Sequence, residues 1–393
     1  MYKIRTYNKI SVKGLEQFPR DQYEVGGDIG HPDAFMLRSQ VLHDEAVPDT
    51  LIAAARAGAG VNNVPVEAYS KRGIVVFNTP GANANAVKEL VMVGMMLATR
   101  GILPGIAYAQ SLIEMTDAEA MAARLEKEKS RFVGGELKGK TLGVVGLGAI
   151  GSMVADMALA LGMKVIGYDP ALSIEAAWRL SNAVARAENL SSLLARADYV
   201  TLHVPALAAT KHLVNDDALK AVKPGAVLLN FARESIVDAH AIVRSLDARR
   251  LGHYVCDFPE PGLLGRDDVI AMPHIGASTE ESEENCAVMA ATQLMDFLEN
   301  GNIVNSVNFP AVSMPLAPGA ARITFSNDNV SGVLGHVLSI LAEHKVNVLD
   351  MMNKSRAELA YNLIDVEQAP SEVVVEAIRG VAHVIRVRVI NAR

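Results

Sequence analysis

Cysteine is scarce in this chain of 393 residues, which contains only Cys256 and Cys286. Two cysteines cannot build the disulfide framework of a small secreted domain, and their spacing does not fit a zinc site. This usage is typical of proteins in a reducing compartment. We therefore expect neither structural disulfide bonds nor a metal centre.

An excess of positive charge is also missing. The 37 Lys and Arg residues against 44 Asp and Glu residues give a formal net charge of −7, which offers no basic surface for nucleic acid or anionic membranes. The most apolar run, LVMVGMMLA from Leu90, is about half as long as a membrane span requires. The first residues do not resemble a signal peptide. A soluble cytoplasmic protein is the expectation.

What the sequence does contain is an alternation of short apolar runs and helix-like stretches. Up to about Val87, runs such as AFMLRSQV and GIVVFNTPG are followed by stretches such as DTLIAAARAG, which predicts an α/β domain. Residues 88–100 predict a buried helix, and a charged, solvated helix follows. Five apolar segments then alternate with helices, as in a doubly wound parallel sheet: KTLGVVGLG, MKVIGYDP, ADYVTLHVP, GAVLLNFAR and GHYVCDF.

The pattern changes after about Asn305. The segment NFPAVSMPLAPGAA holds three prolines and several small residues without a period, which predicts a linker. The residues beyond it have the order βαββαβ, which indicates a small ferredoxin-like domain.

A glycine-rich turn follows the first strand of the predicted parallel sheet. GVVGLGAIG places Gly146, Gly148 and Gly151 in the G-x-G-x-x-G spacing, between a Val-rich strand and the apolar helix SMVADMALALG. These glycines permit a tight turn, the approach of backbone N–H groups to a pyrophosphate, and close packing of the helix. Ala149 and Ile150 would supply backbone at the helix N-terminus, which attracts the anion.

Asp169 supplies the second half of this fingerprint. It ends the next strand in VIGYDP, where a carboxylate can accept hydrogen bonds from the adenosine ribose hydroxyls. The same carboxylate would repel the additional phosphate of NADP. Strand, glycines and acid together predict an NAD site.

Three polar residues follow successive later strands: Arg233 after AVLLNFA, Glu260 in DFPEP and His274 in PHIGAST. Open α/β sheets bind ligands at these carboxyl ends of strands. An Arg can hold a carboxylate through two parallel hydrogen bonds, and a His can accept a hydroxyl proton when a carboxylate stabilises its charged form. Each residue alone is more often an ion-pair partner or a core histidine. As a set, they predict oxidation of a hydroxy acid.

The motifs GLGAIG, YDP, LHVP, NFAR, DFPEP and PHIGAST together resemble those of the D-isomer-specific 2-hydroxyacid dehydrogenases. NTPGANANAVKEL and SNDNVSGVLGHVLSILAEHKVNV resemble the short bacterial members that act on 3-phospho-D-glycerate and end in an ACT regulatory domain. The resemblance covers nearly the whole chain. It implies an α/β fold with a flavodoxin-like discontinuous substrate domain (1–87 and 283–312), a Rossmann-like NAD-binding domain (88–282), a linker (313–319) and a ferredoxin-like ACT domain (320–393).

The resemblance also implies a role for individual residues, with Arg233, Glu260 and His274 as the catalytic groups. Beyond the glycine turn and Asp169, it implies NAD contacts on the adenosine side at Val204 and Pro205. Around the nicotinamide it implies contacts at Phe231, Ala232, Asp257 and Gly276, and Ala277 is a further implied NAD contact. The implied substrate contacts are Arg38 and Ser39 for a phosphate, together with Gly58, Ala59, Gly60, Val61 and Asn83. An L-serine effector site is implied at Asn329, Val330, Gly332 and Asn347.

The implied activity is NAD-dependent oxidation of 3-phospho-D-glycerate to 3-phosphohydroxypyruvate, the first step of L-serine synthesis, in a homodimer or homotetramer. Four residues depart from the family pattern: Glu234 replaces a usual Gly, Met272 a usual Thr, Lys88 a usual Ala and Ser331 a usual Pro. Two alternatives stay open. One is a reductase for another small 2-keto acid (glyoxylate, hydroxypyruvate or 2-oxoglutarate), and the other is a non-catalytic, NAD-sensing corepressor on the same fold.

Overall fold

A computed structural model describes residues 1–391 of the chain. The chain forms two compact units, one made of Met1–Asn83 together with the residues from Glu280 onward, and the other of Ala84–Thr279. The second unit begins a few residues before the predicted start of the nucleotide-binding domain (88) and ends a few residues before its predicted end (282). Both boundaries coincide with the N-terminal end of a helix. The predicted α/β fold class is confirmed in both units.

The first 83 residues form a five-stranded parallel sheet with the strand order β2-β1-β3-β4-β5, which is the flavodoxin-like order expected of a substrate domain. Strands β3, β4 and β5 are buried on both faces, whereas most residues of β1 and β2 are part-exposed or exposed. The elements are β1 (Tyr2–Thr6), α1 (Val12–Leu15), β2 (Tyr23–Gly26), β3 (Ala34–Leu37), β4 (Ala53–Arg56), α2 (Val66–Lys71) and β5 (Val75–Phe77).

One prediction for this segment is wrong. DTLIAAARAG was expected to be helix-like, but its central residues form β4, which lies between β3 and β5. Ala53, Ala54 and Ala55 are completely buried there. Alanine favours a helix in isolation, yet tertiary burial in an interior strand overrides that preference.

The second unit holds a seven-stranded parallel sheet in the order β12-β11-β10-β9-β6-β7-β8, the Rossmann arrangement. The five predicted apolar segments form β6, β7, β9, β10 and β11. Two further strands of three residues each, β8 and β12, form the edges of the sheet. The elements are α3 (Ala84–Thr99), α4 (Ile102–Gln110), α5 (Ala118–Glu128), β6 (Thr141–Val145), α6 (Ala149–Ala160), β7 (Lys164–Tyr168), α7 (Ile174–Arg179), β8 (Val184–Arg186), α8 (Leu190–Arg196), β9 (Tyr199–Leu202), α9 (Asp216–Lys220), β10 (Ala226–Asn230), α10 (Ala239–Asp247), β11 (Leu251–Cys256) and β12 (Val269–Ala271).

The chain then returns to the first unit through a long helix and ends in a βαββαβ domain, as predicted. Its four-stranded antiparallel sheet has the order β14-β15-β13-β16. The elements are α11 (Glu280–Asn300), β13 (Ala321–Asp328), α12 (Val333–Glu343), β14 (Val348–Arg356), β15 (Leu359–Val366), α13 (Glu372–Arg379) and β16 (Val384–Asn391).

The C-terminal sheet is buried on two sides within the first unit. One face packs against α12 and α13, and the other contributes Tyr361 and Leu363 to the core built around α11. Arginines on this second face donate hydrogen bonds to backbone carbonyls of α11: Arg388 to Leu298 (2.9 Å) and Arg322 to Asn300 (2.7 Å). The fully buried guanidinium of Arg322 also pairs with Asp365.

The predicted linker is anchored rather than free. Val312 and Met314 are buried, Val312 pairs with Ile303 through backbone hydrogen bonds, and the Met314 carbonyl accepts a hydrogen bond from Arg322. Prolines and small residues in this segment interrupt the secondary structure, but they do not prevent its apolar side chains from packing.

Hydropathy along the described residues gives no single helix that is long and apolar enough to cross a membrane. One bent pair, α3 with α4, passes a test of length and composition only.

Candidate active site

The three glycines of the predicted nucleotide turn serve three different purposes. Gly146 has a φ of +90°, and a Cβ atom there would lie 2.5 Å from the carbonyl oxygen of His203. A Cβ atom at Gly151 would lie 1.9 Å from the carbonyl oxygen of Gly146. At Gly148 no atom lies within 4 Å of such a Cβ. Two glycines are therefore required by packing, while the third leaves open space at the N-terminus of α6, which fits a dinucleotide pyrophosphate.

Asp169 ties this turn to the end of β7. Its Oδ2 accepts a hydrogen bond from the backbone N–H of Leu147 (2.8 Å), and its Oδ1 accepts one from Ala171 (2.9 Å). A carboxylate offers about four lone-pair sites, so acceptor capacity remains for ribose hydroxyls. The acid therefore shapes the turn and still fits the predicted contact with NAD.

His203 lies under the turn and was not singled out from the sequence. Its ring Nε2 is 2.9 Å from Thr201 Oγ1, its Nδ1 is buried without a partner, and burial lowers its pKa to about 3. The ring is thus a neutral structural group. The predicted adenosine residues Val204 and Pro205 follow it directly, and Val204 packs against Gly146.

A buried amide shapes the loop that carries Arg233. Asn230, at the end of β10, accepts a hydrogen bond from the Ala232 N–H (3.1 Å) and donates one to the Arg233 carbonyl (2.9 Å). Phe231 is buried, and its ring packs at Gly94 of α3. Of the two predicted nicotinamide neighbours in this loop, only Ala232 is part-exposed. The sequence signal for Asn230 was a polar residue at the end of an otherwise apolar strand.

Three consecutive backbone N–H groups converge on Asp257, directly after β11. The N–H of His274 donates to the Asp257 carbonyl (2.9 Å), that of Ile275 to Oδ1 (2.8 Å) and that of Gly276 to Oδ2 (2.7 Å). This wrapping holds His274 at a φ of +57°, in the left-handed region that few non-glycine residues adopt. A Cβ atom at Gly276 would lie 2.8 Å from Asp257 Oδ2, which explains the glycine. Ala277 continues the loop.

Arg233 and His274 meet the same aromatic ring. The centre of the Phe258 ring is 4.6 Å from that of His274 and 5.6 Å from the guanidinium carbon of Arg233. The structure thus brings together two of the three predicted catalytic residues across a phenylalanine that sequence reasoning missed. Glu260 follows Phe258 by two residues, and within the described chain no hydrogen bond or ion pair joins it to His274. The same residues contain no cluster of potential metal ligands.

The departures from the family pattern leave this geometry intact. Lys88, in the second turn of α3, donates a hydrogen bond to Asn85 (2.5 Å). Met272 packs in the core of the second unit, and its N–H donates to the Cys256 carbonyl (2.8 Å). Glu234 is exposed at the start of a short 3-10 turn, and nothing in the structure explains the change from glycine.

The predicted phosphate residues lie at the carboxyl edge of the five-stranded sheet in the first unit. Arg38 follows β3, and its carbonyl accepts a hydrogen bond from the guanidinium of Arg56 at the end of β4 (3.1 Å). The backbone N–H and the hydroxyl of Ser39 both donate hydrogen bonds to Oδ1 of Asn8. Arg56 was missed by sequence reasoning, although an arginine two residues before the GAGV turn was the available signal.

The GAGV turn and its neighbours surround these arginines within the same unit. A Cβ atom at Gly58 would lie 2.5 Å from Nη1 of Arg56, so the guanidinium rests on the glycine backbone. Asn78 donates a hydrogen bond to the carbonyl of Ala59 (2.6 Å), and Gly60 and Val61 follow, half-buried. The Oδ1 of Asn83, at the end of this segment, is buried without a partner.

The predicted effector residues occupy the two ends of the β14–β15 hairpin. Asn329 donates its side-chain amide to the Ala357 carbonyl (3.0 Å) at the hairpin turn, beside Val330 and Gly332, whose φ is +94°. Asn347 precedes β14 and donates to Glu367 (3.5 Å) after β15. The nine residues of β14 separate the two ends by about 27 Å. One small molecule therefore cannot touch both asparagines of a single chain.

Comparisons with known proteins agree with this geometry. The sequence family described as D-isomer specific 2-hydroxyacid dehydrogenase, NAD binding domain, matches residues 106–276. The chain is 35% identical over 344 residues to D-3-phosphoglycerate dehydrogenase of Escherichia coli strain K12. The aligned residues cover 84% of this chain and 79% of that relative. The chain is 34% identical over 357 residues to the Haemophilus influenzae protein of the same name, covering 88% and 82%.

A solved structure is similar over most of the chain. It is the NAD⁺-bound 3-phosphoglycerate dehydrogenase of Entamoeba histolytica, with a TM-score of 0.60 and 26% identity, covering 78% of this chain and 98% of that one.

Proposed function

Because the chain belongs to the NAD-dependent D-isomer-specific 2-hydroxyacid dehydrogenases, we propose that it oxidises 3-phospho-D-glycerate at C2 to 3-phosphohydroxypyruvate. The observation that carries the proposal is the placement of Arg233, after β10, and His274, after β12, against the ring of Phe258, which follows the intervening strand β11. The sequence identity of 35% and 34% to two bacterial D-3-phosphoglycerate dehydrogenases supports the choice of substrate.

In this mechanism Arg233 donates hydrogen bonds to the substrate carboxylate and to the adjacent oxygen on C2. One of its donors is engaged by the Ala232 carbonyl (2.6 Å), and the other guanidinium N–H groups are left for a paired hydrogen bond. His274 accepts the hydroxyl proton, and Glu260 stabilises the imidazolium that results. The glycine turn and Asp169 would hold NAD, which would supply the hydride acceptor for the C2 hydrogen.

The phosphate of the substrate binds at Arg38 and Arg56. Two guanidinium groups at one sheet edge can offer several charge-assisted hydrogen bonds to a dianion. Oδ1 of Asn8 accepts hydrogen bonds from both the backbone N–H and the hydroxyl of Ser39, so Ser39 contacts the phosphate only through a hydroxyl that exchanges its 3.5 Å bond to Asn8. Gly58 keeps the space in front of Arg56 free of a side chain.

A substrate panel tests the proposal. Initial rates would be measured with NAD and NADP for 3-phospho-D-glycerate, D-lactate and D-2-hydroxyglutarate, and in reverse for glyoxylate, hydroxypyruvate and 2-oxoglutarate. The highest kcat/KM is expected for 3-phospho-D-glycerate with NAD. A higher value for an unphosphorylated acid would assign the enzyme to another substrate, and no turnover of any acid would favour a non-catalytic NAD sensor.

The C-terminal domain is proposed to bind L-serine between paired subunits. Since Asn329 and Asn347 lie at opposite ends of one hairpin, two-fold pairing of hairpins would place Asn347 of each chain at the Asn329 turn of the other. Such a site requires at least a dimer, and bound serine lowers activity by favouring one arrangement of the subunits.

Serine titration of the initial rate, with sedimentation to determine the oligomeric state, tests this regulation. Inhibition is expected in the parent and loss of inhibition in Asn347→Ala, with unchanged kcat in the absence of serine. An uninhibited parent would leave this domain as a structural element. A biosynthetic role of this kind fits the expected cytoplasmic location.

A further inference from the structure

An acidic residue faces the proposed phosphate site. Nη1 of Arg38 lies 2.7 Å from Oε1 of Glu283, and both side chains are roughly two-fifths exposed. Glu283 belongs to the first turn of α11, where three glutamates occur, the others being Glu280 and Glu281. Of these three, only Glu283 pairs with an arginine of the sheet edge.

Two neighbouring groups lie beside this ion pair. The Arg38 carbonyl accepts a hydrogen bond from Arg56, and one helical turn along α11 lies the buried thiol of Cys286, whose pKa burial raises. A neutral thiol contributes no charge. Glu283 is therefore the counter-ion of Arg38 when no substrate is present.

We propose that Glu283 is a specificity-determining residue that competes with the substrate's phosphate for Arg38. The inference rests on the phosphate assignment made above. Binding of a phosphate at Arg38 must either displace Glu283 from the guanidinium or place a dianion beside a carboxylate, and both weaken binding. A substrate without a phosphate leaves the ion pair intact and loses nothing. Glu283 thus reduces the advantage of phosphorylated over unphosphorylated substrates.

The expected size of the effect follows from the exposure of the pair. Exposed ion pairs contribute at most about 1 kcal/mol, so the gain on removing the competitor is roughly two- to fivefold in affinity. The direction of the change in KM distinguishes a Glu283 that competes with the phosphate from a Glu283 that orients Arg38. If Glu283 instead orients Arg38 productively, its removal raises KM.

The test compares Glu283→Gln, which keeps the hydrogen-bond acceptor and removes the charge, with Glu283→Ala, which removes both. Competition predicts that both variants lower the KM for 3-phospho-D-glycerate roughly two- to fivefold, with kcat and the KM for D-glycerate unchanged. Glu281→Gln removes the same charge from the same helical turn and is the matched control, with an expected KM like that of the parent. An unchanged or raised KM in both Glu283 variants would overturn the proposal.

Two further measurements separate this inference from the proposed function. The dissociation constant of inorganic phosphate, measured by calorimetry on the NAD-loaded enzyme, should fall in Glu283→Gln whichever acid the enzyme oxidises, and a constant value would contradict the inference. In an Arg38→Met background the Glu283→Gln effect should vanish, and its persistence would place the competition elsewhere. Failure of the parent to oxidise 3-phospho-D-glycerate would contradict only the proposed function.

Discussion

The backbone N–H of Gly276 donates a 2.7 Å hydrogen bond to Oδ2 of Asp257, and this bond closes the loop that carries His274. Ile275 binds the other carboxylate oxygen. Asp257 is 2% exposed, so the loop is held by a carboxylate that water barely reaches. The general base proposed here is thus positioned by backbone groups, and its left-handed φ is maintained by them rather than by a partner of its ring.

Asp257→Ala should therefore damage catalysis without touching a reacting atom. The change leaves two loop N–H groups without an acceptor and lets His274 shift, and we expect kcat/KM to fall roughly 10- to 100-fold. Steady-state kinetics measure this loss. Asp267→Ala, at an exposed position before β12, is the control and should behave like the parent. Equal activity of the two variants would show that the Asp257 loop does not position the base.

Replacing His274 by Ala removes the group that accepts the hydroxyl proton. We expect kcat to fall roughly 10²- to 10⁴-fold, the usual loss for a general base, while NAD still binds. The fluorescence of NADH itself changes on binding and measures cofactor affinity independently of turnover. His240→Ala, an exposed histidine in α10, is the matched control. Near-normal kcat in His274→Ala would refute the assignment.

Cofactor preference should follow Asp169. The combination of Asp169→Ser with Pro170→Arg removes the repulsion of the additional phosphate of NADP and adds a cation for it. The ratio of kcat/KM for NADP to that for NAD is expected to rise. Asp169→Ser alone should weaken NAD more than it helps NADP, because the N–H groups of Leu147 and Ala171 lose their acceptor. A parent enzyme that already prefers NADP would contradict the role of Asp169.

His203 predicts a pH dependence of stability. Burial lowers the pKa of its ring from 6.5 to about 3, so between these values the unfolded chain binds a proton that the folded chain does not. The free energy of unfolding should therefore fall as pH drops below 6.5, by up to about 1.4 kcal/mol per pH unit from this group. Urea unfolding at pH 7 and pH 5 should show a smaller drop in His203→Gln than in the parent. Identical drops would mean that the ring titrates normally.

Arg322 tests how firmly the C-terminal sheet is fixed in the first unit. Arg322→Met leaves the buried Asp365 carboxylate without a partner and removes donors from the carbonyls of Asn300 and Met314. We expect the free energy of unfolding to fall by about 3–5 kcal/mol. Arg356→Met, which loses one exposed hydrogen bond to the Ser306 carbonyl, should cost about 1 kcal/mol. Similar losses in the two variants would contradict the anchoring role.

Much of the fold was accessible from the sequence because it depends on local patterns. The G-x-G-x-x-G turn, the acid at Asp169 and the βαββαβ order each reflect a short stretch whose chemistry suits one structure. The helix-like reading of DTLIAAARAG failed because three alanines carry a helical preference that interior burial overrides. The three-residue strand β8 is too short for its pattern to differ from a loop.

The site was accessible only in part, for a different reason. Arg233 and His274 could be placed at strand ends, but Phe258, which touches both, resembles any apolar residue in the sequence. Asn230 likewise acts through hydrogen bonds to its own loop. The pairing of Glu283 with Arg38 joins residues 245 positions apart, and no local pattern indicates it.

The most direct test of the whole account is the ratio of kcat/KM for 3-phospho-D-glycerate to that for D-glycerate, both with NAD. The two acids share the carboxylate for Arg233 and the hydroxyl for His274 and differ only in the phosphate. Charge-assisted hydrogen bonds from Arg38 and Arg56 should raise this ratio to about a hundredfold or more, and Arg56→Met should reduce it sharply. A ratio near one would contradict the assignment of a phosphorylated substrate.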